Sequence, residues 1–202
     1  MIKLNNNEIS FALITLAYWF FMLTDGALRM LVLLHFHVLG YTPLQLAYLF
    51  LLYEFFGMVT NLTAGWIAKK IGLNITLYSG LFLQILSLLL LTQIDKNWSI
   101  TLSVIFVMAT QGLSGAAKDL TKMSAKSSVK LLAPDNNSKL FQWVSFMTGS
   151  KNAVKGFGFL LGSLLLTFIG FKSSLFFMAA FLSITLIPVS YTHLTLPTIL
   201  LV

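Results

Sequence analysis

The sequence predicts an all-α membrane protein with six transmembrane helices, and three observations support this fold class. Of the 202 residues, 57% are hydrophobic and only 9% are charged, whereas a soluble domain has about 25% charged residues. Apolar runs recur along the chain, several of them near the roughly 20 residues that a bilayer-spanning helix needs. Short polar or Gly/Pro-containing turns separate these runs. An ordinary soluble domain is therefore excluded, and we expect a multi-pass protein of the lipid bilayer.

The six predicted spans follow from these runs and turns in order. A short polar leader ends at Ser10, and the first apolar run then carries Asp25 and Arg29. Pro43 suits the first turn of a second helix, and Gly72 marks a tight connection to the third. The predicted spans cover residues 11–37, 44–68, 73–94, 98–117, 141–168 and 174–188, with a polar segment at 118–139.

The net charge of +7 is interpreted as a topology signal rather than a nucleic-acid-binding surface. Six spans place the two ends of the region that contains them on one side of the membrane. Cytoplasmic loops carry the excess of lysine and arginine, so that side is expected to be the cytoplasm. Its predicted loops contain Lys3, Lys69, Lys70, Lys118, Lys122, Lys126, Lys130 and Lys139, against Lys96 and Lys172 on the other side.

Ionisable residues inside spans are candidates for function, because a charge at the bilayer centre costs about 2.5–3.5 kcal/mol on insertion scales. Asp25 and Arg29 lie one helical turn apart, so they either form an ion pair within the first span or take part in substrate or proton movement. Glu54 has no opposite charge within one turn of its own helix. It therefore pairs across helices, is protonated or faces water. We expect Glu54 or Asp25 to couple proton movement.

Lys151 and Lys155 are also one turn apart on one face of the fifth span, and Asn152 lies beside them. Like charges at this spacing repel each other. A cavity that holds a multiply charged anion would explain them, since lysine binds phosphate well. The alternative is structural pairing with Asp25 or Glu54. We expect Arg29, Lys151 and Lys155 to bind the anion and Asn152 to orient it.

Other polar residues fall near the predicted membrane surfaces. Lys69, Lys70, Lys118 and Asp119 are candidates for a cytoplasmic gate or loop. Lys126 and Lys130 are expected on an amphipathic helix that lies against lipid headgroups. At the other surface, His35 and His37 are interpreted as interfacial anchors rather than metal ligands, because residues i and i+2 do not face each other on a helix.

Small residues in the fourth and fifth spans predict close helix packing. The candidates are Gly112, Gly115, Gly149, Gly158 and Gly162, and the last two form a GxxxG pattern that lets two helix backbones approach. The sequence contains no phosphate-binding glycine loop, HExxH motif, nucleophile elbow or Cys/His cluster. We therefore expect neither an enzyme nor a metal site nor a bound cofactor.

Three weak motifs, in the appropriate order, resemble those of major facilitator superfamily transporters. GWIAKKIG at 65–72 is similar to the loop motif between the second and third spans, and Gln111-Gly112 is similar to the span-four motif. Gly149, Gly158 and Gly162 keep the spacing of the antiporter motif in span five. The resemblance implies that the six helices form the N-terminal half of a major facilitator fold.

Longer strings are more specific: LTDGALRMLVLLHFH, YEFFGMVTNLTAGW, AKDLTKMSAKSSVKLL and TGSKNAVKGFGFLLG. Together they resemble the organoarsenical efflux permeases, over about residues 11–187. This resemblance implies a bacterial inner membrane protein that exports 1-arseno-3-phosphoglycerate and so gives arsenate resistance. The implied partner is a glyceraldehyde-3-phosphate dehydrogenase, which makes that substrate.

The last residues, 189–202, resemble translated sequencing-adapter read-through and are expected to be a non-native tail. Family transporters have two six-span halves, so a missing C-terminal half is expected after residue 188.

The sequence thus predicts a secondary transporter fragment that exports a small organic polyanion, driven by a proton gradient. Two alternatives remain open: uptake or exchange of a phosphorylated or carboxylated metabolite, and a non-transporting membrane scaffold subunit.

Overall fold

The computed structural model describes residues 6–95, 97–133 and 137–190, apart from the side chains of residues 6, 137, 188 and 190. These residues form an all-helical bundle. The helices are α1 (Asn6–Val38), α2 (Pro43–Leu49), α3 (Leu51–Ile71), α4 (Leu73–Leu91), α5 (Ile100–Leu132), α6 (Asn137–Ile169) and α7 (Phe171–Ser190).

The turns that the sequence marks are where the helices change direction. Thr42 caps α2, because its side chain accepts from the Gln45 amide and the Gln45 side chain bonds back to the Thr42 N–H. Two of the turns consist of a single glycine, Gly72 at φ 92° and Gly170 at φ 79°. Glycine suits both positions because a Cβ is disfavoured at positive φ.

Within the described residues, five helical stretches are long and apolar enough to cross a membrane. They are Asn7–Val38, Pro43–Ile71, Leu73–Leu91, Ile100–Leu132 and Ser138–Ile169. The second of them combines α2 and α3, which only Phe50 separates. The sixth predicted span corresponds to α7, whose apolar part, Phe171–Ile187, is shorter. A multi-pass membrane protein is thus supported by composition and helix length.

α1 and α6 pack against each other in parallel. Near their first residues, the rings of Phe11 and Trp143 stack with centroids 4.2 Å apart. Two turns further along both helices, the Trp19 indole N–H donates to Ser150 Oγ at 2.8 Å. Residue numbers of the contacting pairs increase together along α1 and α6, so the two helices are parallel.

α5 is the element against which α3 and α4 both pack. Ser87 in α4 donates to the carbonyl of Thr110, and Ser124 in α5 donates to the carbonyl of Leu73. The residue numbers of these partners run in opposite directions, so α4 and α5 are antiparallel. We call the end of the bundle that contains the first residues of α1 and α4 the amino-terminal end, and the opposite one the far end.

The outer surface of the bundle is apolar, which fits a lipid environment. Leu62 in α3 and Phe168 in α6 are 80% and 79% exposed, and many other large hydrophobic residues lie on the surface. A soluble monomer rarely exposes large contiguous apolar patches. The core is formed by residues such as Tyr18, Leu31, Leu77 and Leu88, which are fully buried.

Several helices extend beyond the predicted spans, and the longest extension is that of α5. The predicted fourth span stops at residue 117, but α5 continues without a break to Leu132. Its extension buries Ser124, Ala125, Ser128 and Val129, so this segment packs in the bundle instead of lying flat against headgroups. Residues 189 and 190 of the predicted tail belong to α7, and residues 191–202 lie outside the described part of the chain.

Candidate functional site

Seven charged side chains from four helices gather inside the bundle. Asp25 and Arg29 come from α1, Glu54 from α3, Lys118, Asp119 and Lys122 from α5, and Lys155 from α6. We call these seven residues the ionic network. Positive and negative groups alternate along it, so each carboxylate lies within 4.0 Å of at least one cation.

The buried end of the network is the Asp25 carboxylate, whose side chain has no exposed surface. Lys155 Nζ lies 2.8 Å from Asp25 Oδ2. The other oxygen, Oδ1, accepts a hydrogen bond of 2.5 Å from the Tyr53 hydroxyl. Both oxygens are therefore partnered, which a charge in a buried site requires. These two contacts join α1 to α6 and to α3.

The open end of the network is the Glu54 carboxylate, with 63% of its side chain exposed. Arg29 Nη2 donates to Glu54 Oε1 at 2.6 Å. Lys118 Nζ lies 3.9 Å from Glu54 Oε2. One exposed carboxylate thus receives two cations from two different helices.

Asp119 pairs with Lys118 and Lys122, the two lysines of α5 that belong to the network. Its Oδ1 accepts a hydrogen bond of 3.0 Å from Lys122 Nζ, and its Oδ2 lies 3.6 Å from Lys118 Nζ. Asp119 is buried. Lys118 therefore stands between a buried and an exposed carboxylate.

Tyr53 links the two ends of the network. The Arg29 guanidinium carbon lies 3.9 Å from the centroid of the Tyr53 ring, and Lys118 Nζ lies 4.4 Å from it. Cations over an aromatic face are attracted by the ring quadrupole. Sequence reasoning missed this residue, and the only signal was its position beside Glu54 in an apolar run.

Close glycine contacts bring these side chains together. A Cβ at Gly158 or Gly162 of α6 would meet the α1 backbone at Leu23 or Ala27. The α1–α6 approach at these glycines sets the reach of Lys155 to Asp25. A Cβ at Gly115 of α5 would likewise meet the Tyr53 carbonyl.

The two remaining glycine predictions, for Gly112 and Gly149, have different outcomes. A Cβ at Gly112 would meet the side chains of Phe56 and Leu52, so this residue does lie at the α3–α5 contact. Gly149 has nothing within 4 Å of where its Cβ would be. Its predicted packing role is therefore corrected, because Gly149 faces outward from the described bundle.

The ion pair between Asp25 and Arg29, one of the two alternatives for these residues, does not form. Arg29 pairs with Glu54, and Asp25 pairs with Lys155. Lys155 thus forms the structural pair with Asp25 that the sequence left open as an alternative to anion binding. Asn152 is exposed.

Lys151 behaves differently from Lys155. Among the described residues it makes neither an ion pair nor a hydrogen bond. The positive charges of Lys151 and Lys122 both repel the ammonium group of Lys126 in α5. Lys126 and Lys130 belong to the packed α5 extension, where Lys126 is partly buried. Lys122, Lys126 and Lys151 therefore form a positive region that adjoins the network at Lys122.

The remaining candidates lie at the two ends of the bundle. Lys69 and Lys70 are exposed in the last turn of α3, and Lys70 Nζ lies 5.3 Å from the ring centroid of Trp66. His37 is exposed, whereas the His35 ring stacks on Phe171 at 3.9 Å. His35 also lines a far-end cavity of about 450 Å³. Within the described residues, no group of three His, Cys, Asp or Glu could hold a metal ion.

A second cavity, of about 330 Å³, lies directly beside the network. It is lined by Arg29, Met30, Leu33, Phe50 and Phe159, so Arg29 is its one charged wall among the described residues.

No protein-family profile and no curated protein matches the sequence. The chemistry of the site therefore rests on its own residues.

Proposed function

We propose that the chain acts in the transport of a small organic anion across the membrane. The observation that carries the proposal is the ionic network, in which charged groups from four helices meet inside an apolar bundle. Charged residues inside membrane bundles are rare, and they mark substrate or ion pathways and proton relays. Four cations against three carboxylates leave the network positive, which favours an anionic substrate.

The proposed roles follow from exposure and pairing. Glu54 is exposed, and its ion pairs within the described residues are with Arg29 and Lys118, which suits a carboxylate that gains and loses a proton during transport. Asp25 is buried and fully partnered, so it fits better as an anchor for Lys155. Lys151, without a partner among the described residues, remains available to a substrate.

The proposed substrate comes from the resemblance to organoarsenical efflux permeases. 1-Arseno-3-phosphoglycerate is a small polyanion, which agrees with the positive network and the neighbouring lysines. We propose export from the bacterial cytoplasm, coupled to the proton gradient, with a glyceraldehyde-3-phosphate dehydrogenase as the source of the substrate.

Expression in an arsenate-sensitive bacterium that contains this dehydrogenase tests the proposal. We expect cells that express the chain to accumulate less arsenic from arsenate than cells with an empty vector. Lys151→Ala should lose this effect, since it removes a cation available to the substrate. Lys139→Ala is the matched control, because Lys139 is an exposed lysine in the first turn of the same helix.

Equal accumulation with and without the chain would contradict export. Uptake or exchange of a phosphorylated or carboxylated metabolite is the nearest alternative, and the direction of flux in everted vesicles separates it from export. A non-transporting scaffold is favoured by one observation: Asp25, Arg29 and Lys155 all have partners within the bundle. That alternative predicts no flux of any anion, whichever network charges are present.

A further inference from the structure

Glu54 stands apart from the other two carboxylates of the ionic network. Asp25 and Asp119 are buried, and hydrogen bonds from neighbouring residues hold them. Glu54 is 63% exposed, and in the described part of the chain its side chain is held by Arg29 and Lys118 alone. It can therefore leave its partners by rotating its own side chain, without opening the bundle.

The two cations would stay in place if Glu54 moved away. Both lie against the ring of Tyr53, at 3.9 Å for Arg29 and 4.4 Å for Lys118. Tyr53 is fully buried and its hydroxyl is fixed on Asp25. Lys118 is also attracted to Asp119 at 3.6 Å. The positions of both cations thus have supports other than Glu54.

These cations have unused hydrogen-bonding capacity. A guanidinium has five N–H donors and an ammonium has three. Arg29 donates one hydrogen bond, to Glu54, and its Nε is buried without a partner among the described residues. Lys118 makes ion pairs but no hydrogen bond in the described part of the chain. A ligand with several acceptor oxygens could use these donors better than one carboxylate does.

Space for the rest of such a ligand lies next to Arg29. The cavity of about 330 Å³ is lined by Arg29 and by apolar side chains, and Lys118 is not among its described lining residues. This volume is at the lower end of the range for ligand pockets, about 300–1,000 Å³, and suits the apolar part of a small molecule whose anionic group contacts the two cations. Without Glu54, the network would contain four cations and two carboxylates, a charge of +2 that a dianion balances.

We infer that Arg29 and Lys118 form a subsite for one phosphoryl or carboxylate group of a small anion, and that Glu54 occupies this subsite until a ligand displaces it. The inference rests on the proposed transport function, because a removable internal counter-ion is what an anion carrier needs when its site is empty. The positive charge is covered in the empty state and exposed to the ligand only when Glu54 swings out. Lys155 and Asp25, the nearest charges on α6 and α1, stay paired throughout.

Binding measurements on the purified full chain in lipid nanodiscs test this inference. The probes are inorganic phosphate and 3-phosphoglycerate, titrated at constant ionic strength. Glu54→Gln removes the competing charge, and we expect this variant to bind both probes about tenfold more tightly. A tenfold gain corresponds to a site that Glu54 blocks in about nine-tenths of the unaltered molecules. Glu8→Gln removes the same charge at the start of α1 and should leave the affinity unchanged.

Lys118→Met in the Glu54→Gln background completes the test. We expect it to reverse the gain in affinity, because the second cation of the subsite is lost. Equal affinities of Glu54→Gln and Glu8→Gln would overturn the inference, and so would a gain that survives Lys118→Met. Thermal unfolding of each variant identifies any that fails to fold, and Lys118→Gln then replaces Lys118→Met.

The outcome is separable from that of the proposed function. Anion flux by the unaltered chain, together with no gain from Glu54→Gln, would overturn the subsite and leave transport standing. A gain from Glu54→Gln, together with no flux, would support the subsite and contradict transport.

Discussion

At the scale of single residues, the decisive feature is which charge pairs with which. Asp25 and Arg29 share one helix face, yet each takes its partner from another helix. The reason is that Tyr53 and Lys155 together satisfy both oxygens of the buried carboxylate. The exposed Glu54 is then left for Arg29. Pairing across helices ties α1, α3 and α6 together, which a pair within α1 could not do.

Asp25→Asn is expected to destabilise the protein strongly. It leaves the Lys155 ammonium without a carboxylate in the bundle, and breaking one partner of a buried pair costs about 3–5 kcal/mol. Lys155 is 24% exposed, so the loss should fall at the lower end. Adding Lys155→Met to Asp25→Asn should recover most of the stability, measured by unfolding in mixed detergent micelles. A double variant no more stable than Asp25→Asn would contradict the pairing.

Tyr53→Phe is expected to cost about 1.5–3 kcal/mol, the range for a hydrogen bond to a charged group. The ring remains under Arg29 and Lys118, so only the bond to Asp25 is lost. Tyr78→Phe is the matched control, since its hydroxyl donates to the Leu186 carbonyl at 3.0 Å, a neutral bond worth about 0.5–1.5 kcal/mol. The same unfolding assay compares them. A Tyr53→Phe variant no less stable than Tyr78→Phe would count against the network.

Sequence reasoning identifies the network residues better than it identifies their partners. Asp25, Arg29, Glu54 and Lys155 are visible because charges are rare in apolar runs. Their pairing depends on helix rotation and depth, which a single sequence leaves open. The role of Tyr53 is not predictable from the sequence, because aromatic residues are common in membrane spans and its contacts with the charged residues appear only in the structure.

At the scale of elements, glycines decide how closely the helices approach. Gly158 and Gly162 bring α6 onto the α1 backbone, and Gly115 brings α5 onto α3. The GxxxG pattern predicts the first approach from sequence alone. The extent of α5 is less predictable: its lysines indicate a polar surface segment, but small residues between them let its other face pack into the bundle.

Gly158→Ala is expected to destabilise the α1–α6 pair. The added Cβ would meet the Leu23 carbonyl, and overpacking of this kind costs about 1–3 kcal/mol. Gly149→Ala lies on the same helix with nothing within 4 Å, so it should gain up to about 1 kcal/mol of helix propensity. Opposite signs in the unfolding assay are the expected result. Equal effects of the two substitutions would contradict the packing.

At the scale of the whole molecule, the turns divide the chain into helices that cross the bundle alternately. The sequence predicts this alternation well because each turn carries a local signal, such as Gly40, Pro43, Gly72 or Gly170. The sixth helix is predicted less well in length, since its apolar part is short. The orientation in the membrane stays a prediction from the lysine distribution.

Cysteine labelling tests that orientation, and the sequence has no cysteine to remove. We expect Lys70→Cys and Lys130→Cys to react with a membrane-impermeant maleimide only in everted vesicles. Lys172→Cys, at the far end, should react from outside intact spheroplasts. All three residues are exposed, so access to the reagent is not limited by packing. Labelling of Lys130→Cys and Lys172→Cys from the same side would contradict the predicted topology.

The length of α5 also gives the molecule unequal faces. Ser124 lies level with the first residue of α4, and α5 continues to Leu132. At 1.5 Å per residue this adds about 12 Å on the amino-terminal side, whereas the far end is closed by short turns. In a supported bilayer the protein would therefore stand taller on one face, and neutron reflectometry of oriented samples would record an asymmetric thickness profile.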